Sequence, residues 1–155
     1  MPSKERQKTY QAGDMVVSGD VTFSGEVAHT GAVLDTVEAV TATADGLTTG
    51  LISRGSKFVV VTSASAVNIV RLPPGLAADV GMTIKGWVGT NGCEMRTNVG
   101  DSATINDVDC DDSANEAAIP ATTFFTCTLV ALDTWILETA DEEGVAISGI
   151  IPDAQ

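Results

Sequence analysis

Large rings are in short supply: four Phe, two Trp and one Tyr, or 5% of 155 residues. With 44% hydrophobic residues there is material for a core, but it must be built from Val, Ile, Leu and Ala. Chains rich in Val and Thr lean toward strands, and helical periodicity is hard to find anywhere along this one. Cations are scarce too, 8 Lys and Arg against 21 Asp and Glu, for a net charge of −13. Gripping phosphates takes clustered Lys and Arg, so no nucleic-acid partner is expected. No apolar run is long enough to cross a bilayer, and none follows the basic first residues as in a signal peptide; no membrane partner is expected. The three cysteines, Cys93, Cys110 and Cys127, are evenly spaced but odd in number. Without a Cys-x-x-Cys pair they argue against a disulfide framework. Nucleophile-elbow, phosphate-loop, zinc-protease and dinucleotide fingerprints are all missing, so neither an enzyme nor a cofactor is expected.

What the chain does have is a repeat. Residues 17–34 carry three units of x-[Ser/Thr]-Gly-x-Val-x, with glycines at 19, 25 and 31 and valines at 21, 27 and 33. A short unit of this kind cannot bury its apolar side alone and must stack on copies. Three units make too little of a rod for one chain, so identical chains are expected to supply the missing neighbours. The apolar positions Val17, Val21, Phe23, Val27, Val33 and Val37 then line a shared axis, with Asp20 and Glu26 facing out. Ahead of the repeat, residues 1–14 read as a polar arm bearing Lys4, Arg6, Lys8 and Tyr10.

Residues 38–140 read as the globular part, with roughly eight short strands separated by turn signals at close spacing. Strands are expected over 38–44, 57–62, 67–72, 80–88, 93–97, 103–105, 122–132 and 134–138. Pro73-Pro74-Gly75 ends one of them and turns the chain. Asn91-Gly92 reads as a hairpin turn that pairs the strand before it with the strand after it. The fold class is therefore all-β, a β-sandwich or jelly-roll head behind a repeat stem, with barrel closure the other possibility. Residues 141–155 form a tail whose apolar strand, 145–151, either closes the fold or reaches a neighbouring subunit.

Three candidate sites stand out. Asp107, Asp109 and Asp111 open like an Asp-x-Asp-x-Asp calcium loop. The turn glycine of such a loop is replaced by Asp112, and its final Glu by Ala118, so no metal is expected and a solvated loop is the plainer reading. His29, the single histidine, falls in the repeat, as does the base of hexapeptide-repeat acyltransferases; without an oriented partner it reads as a stem side chain. Trp87, Trp135 and Tyr10 have the chemistry to stack on sugars, but both tryptophans fall inside expected strands, where packing is the commoner use.

The segments Val67–Pro73, Gly81–Ile84, Asn91–Thr97, Ala117–Ala121 and Asp133–Leu137, behind a Thr-Phe-Ser-Gly-Glu-Val repeat, resemble small virion structural proteins of tailed phages. The repeat itself is similar to the short fibrous stems of phage head and tail fibres. The resemblance covers residues 17–140 and rests on structural motifs, none of them catalytic. It implies a capsid decoration, or cement, protein that binds the outer capsid surface of the virion as a homotrimer. The major capsid protein is its implied partner; no capsid-contacting motif carries over, and the polar arm with Lys4, Arg6, Lys8 and Tyr10 is expected to lie against it. The alternative is a phage head or tail fibre module that binds a host-surface glycan.

Overall fold

The computed structural model describes residues 37–44, 49–98, 102–110 and 115–147. Ten strands occur among them: β1 (Val37–Thr41), β2 (Phe58–Thr62), β3 (Ile69–Arg71), β4 (Thr83–Val88), β5 (Cys93–Arg96), β6 (Thr104–Ile105), β7 (Val108–Asp109), β8 (Ala117–Ile119), β9 (Thr123–Ala131) and β10 (Thr134–Ala140). One 3-10 turn, Ala77–Asp79, is the lone helical element described. The all-β expectation holds.

The strands form two sheets. Seven are ordered β1-β2-β4-β9-β10-β6-β7, and three are ordered β3-β5-β8. Alternation decides which residues face inward. Val59 and Val61 of β2, Ile84 and Val88 of β4, and Phe125, Cys127 and Leu129 of β9 are buried. So are Val70 of β3, Cys93 and Met95 of β5, and Ala117 and Ile119 of β8, and all twelve belong to one apolar cluster. The two sheets therefore share a single core, and Cys127 Sγ lies 3.4 Å from Met95 Sδ where they meet. Trp135 is fully buried in the same cluster.

Strand direction departs from the antiparallel connectivity of a jelly roll. β1 runs parallel to β2 and β2 parallel to β4, while in the smaller sheet β3 runs parallel to β5. Parallel neighbours need a long crossover, commonly a helix. Here the crossover from β2 to β4 contains β3 of the other sheet, and that from β3 to β5 contains β4. The chain winds around its core over this stretch instead of folding back on itself. The expected hairpin at Asn91-Gly92 is thus corrected: β4 and β5 do not pair, because the turn passes the chain from one sheet to the other. Gly92 adopts a positive φ of 71° there, and a Cβ would meet the Ile119 carbonyl oxygen at 2.8 Å. Successive turns are tied together. Asn91 Nδ2 donates to the Ser63 carbonyl at 2.8 Å, and Gly89 N donates to the Val61 carbonyl at 3.0 Å.

The later strands do fold back. β9 pairs antiparallel with β4 and with β10, and β8 pairs antiparallel with β5. β3 ends before Pro73-Pro74-Gly75, as expected. The tail returns along the end of β10, with Ala146 bridging Ala140 and Ile147 N donating to the Thr139 carbonyl at 3.0 Å. Of the expected repeat stem, residues 15–37, only Val37 falls among the described residues. Val17, Val21, Phe23, Val27 and Val33 lie outside them, as do Lys4, Arg6, Lys8, Tyr10, His29 and Asp111.

Candidate functional site

The outward face of the seven-stranded sheet is assembled by register. One row across five strands runs Val37, Phe58, Lys85, Thr126, Glu138. The next runs Ala39, Val60, Trp87, Phe124, Ala140. Each of these residues alternates with an inward one, so the strand period that fills the core also builds this face. Trp87 and Phe124 are direct cross-strand neighbours, with ring centroids 4.6 Å apart and planes tilted by 57°. Phe124 keeps 43% of its surface exposed and Val37 62%. Trp87 thus packs outside the core, against Phe124, while Trp135 packs within it. Threonine pairs flank the two rows. Thr41 and Thr62 bring their hydroxyls to 3.3 Å on one side, and Thr83 and Thr128 theirs to 3.2 Å on the other.

The outward face of the three-stranded sheet is different in kind. Arg71 and Arg96 are register partners, and the pairing of Met95 with Ala117 sets Arg96 beside Glu116. Arg71, Glu94, Arg96 and Glu116 are all buried although they point away from the apolar core. Arg96 Nε donates to Glu116 Oε1 at 3.1 Å, and Arg96 Nη2 reaches the same oxygen. Arg71 Nη2 donates to Asn98 Oδ1 at 2.9 Å. Among the described residues, Glu116 Oε2 and Arg71 Nε are buried without a hydrogen-bond partner. Sequence reading missed this row: in Cys93-Glu94-Met95-Arg96 the polar positions alternate as solvent-facing residues do. Alternation assigns a face without saying whether that face is covered.

The first part of the acidic segment, through Asp109, lies in a hairpin that sequence reading also missed. Asn106 and Asp107 both take positive φ, 51° and 67°, the conformation of a tight two-residue turn between paired strands. β6 and β7 pair antiparallel on either side of it. The Asn106 side chain then docks on β10. Its Nδ2 donates to the Leu137 carbonyl at 3.1 Å, and its Oδ1 accepts from Leu137 N at 2.9 Å. Asp107 and Asp109 are exposed, and among the described residues no three His, Cys, Asp or Glu side chains group as a metal site.

The cysteines are free and buried. Burial pushes the Cys93 thiol up to about 12 and the Cys110 thiol up to about 11, and raises that of Cys127 as well. A thiol is nucleophilic only as thiolate, so all three act as core filling. Glu38 is held by a small loop. Its carboxylate accepts from Ser53 N at 3.0 and 3.1 Å, from Ser53 Oγ at 2.6 Å and from Ser56 Oγ. Burial pushes this carboxyl up, but the Ser53 and Ser56 donors outweigh it and hold it below its ordinary 4.5. Next in the loop, Arg54 forms a two-pronged pair with Asp79, both contacts at 2.7 Å. That pair ties the loop to the 3-10 turn.

Set against known proteins, the chain matches no family model, no curated protein and no solved structure.

Proposed function

We propose that the chain is a capsid decoration protein. It binds the outer surface of a phage capsid as a homotrimer, with the major capsid protein as partner, and stabilises the shell. The reading is mechanical. Many modest contacts at a symmetric site resist the outward pressure of packaged DNA, and linked copies convert weak contacts into avidity. The observation that carries it is the position of Val37. The repeat reading places this residue at the end of a valine-lined stem that borrows apolar partners from sister chains. In the fold it stands 62% exposed at the start of the edge strand β1, on a sheet face that is apolar across its middle. An exposed apolar residue on an edge strand, at the border of an apolar sheet face, is what a chain built to associate with its own copies requires.

The test is to add purified protein to bare capsids and image them. Regular density on the capsid faces is expected. Absence of density, or density at the tail alone, contradicts the reading. A glycan-binding fibre module is the second reading, favoured by the half-exposed Trp87–Phe124 pair. It predicts host-cell binding by the free protein that Trp87→Ala abolishes.

A further inference from the structure

We infer that the outward face of the seven-stranded sheet is the surface on which copies of this chain pack together, with Lys85 of one copy paired to Glu138 of the next. This rests on the homotrimeric reading and names the surface that serves it. Charge is the first argument. Copies with a net charge of −13 repel one another, so a contact must form where carboxylates are sparse. Along β1, β2, β4, β9 and β10 the outward positions hold one carboxylate, Glu138, and one cation, Lys85. They share a row two strands apart, roughly 10 Å between backbones at ordinary strand spacing. Among the described residues neither enters an ion pair. A neighbouring copy supplies the missing partner for each.

Composition is the second argument. Val60, Trp87 and Phe124 form an apolar centre, and the Thr41–Thr62 and Thr83–Thr128 pairs border it with hydroxyls. An apolar centre with aromatic residues inside a polar rim is the anatomy of an association surface. A second copy presents the same carboxylate-sparse face with its own Lys85 and Glu138, the complement that each of these charges requires.

Sedimentation of the full chain at micromolar concentration tests the assignment. Lys85→Glu and Glu138→Lys are each expected to weaken association about tenfold or more, and the double exchange to restore it. Phe124→Asp, at an exposed position, is expected to yield monomer with an unchanged circular-dichroism spectrum. A trimer that survives Phe124→Asp, or a double exchange no better than the single ones, overturns the assignment while capsid binding still stands. A wild-type monomer instead removes the homotrimeric reading beneath it. A soluble saccharide that perturbs Trp87 fluorescence while Phe124→Asp stays trimeric gives the face to a glycan, and likewise overturns the proposal.

Discussion

A methyl group at position 86 has nowhere to go. Gly86 faces inward from β4, opposite Phe125 of β9, and the phenyl ring occupies the space a side chain would take. A Cβ there would fall against Phe125 Cζ and Cε1 and lie 2.8 Å from the Val59 carbonyl oxygen. Backbone on one side and a fully packed ring on the other leave little room to relax. Gly86→Ala is therefore expected to destabilise the fold by about 1–3 kcal/mol through overpacking. The expected signature is a lower denaturant midpoint with an unchanged slope. Asn106 shows a different use of a single residue. The parallel backbone pairing of β6 with β10, up to the bond from Asn106 N to the Trp135 carbonyl, is extended by a side-chain amide that both donates and accepts, which helps anchor the short β6–β7 hairpin.

At the scale of elements, the buried ionic row and the Glu38 loop give opposite kinds of test. Arg96 and Glu116 are desolvated together, so removing one strands the other's charge. Arg96→Met or Glu116→Gln alone is expected to destabilise by about 3–5 kcal/mol, whereas replacing both with apolar residues of similar volume recovers much of the loss. Paired denaturation curves check this. Glu38 sits near the start of β1, with its folded pKa depressed by the Ser53 and Ser56 donors against an opposing push from burial. A depressed carboxylate stabilises above its unfolded pKa and ceases to as pH falls through its folded value. The stability gap between wild type and Glu38→Gln is expected to be full at pH 7 and to close below about 4.5. A gap that persists unchanged at pH 3 contradicts that assignment.

Strand positions were legible because β-prone, largely apolar runs bounded by turn residues cover 58–62, 83–88 and 123–131, and strands formed there. Such a run carries no record of which strand lies alongside. Asn91-Gly92 makes the same sharp turn whether the chain returns to its own sheet or crosses to the other, so the winding was invisible. The Arg71–Arg96–Glu116 row was hidden for a related reason: whether an outward face meets water is decided by the rest of the fold.

For the molecule as a whole, the account rests on a chain that leaves one sheet face apolar and nearly free of carboxylate while carrying a net charge of −13. The proposed association with identical chains would cover that face. The direct measurement is sedimentation equilibrium of the purified full-length protein at micromolar concentration, at physiological salt to screen the self-repulsion. The expected result is a mass three times that of the chain, reduced to one by Phe124→Asp. A wild-type protein that sediments as a single chain throughout this range contradicts the account.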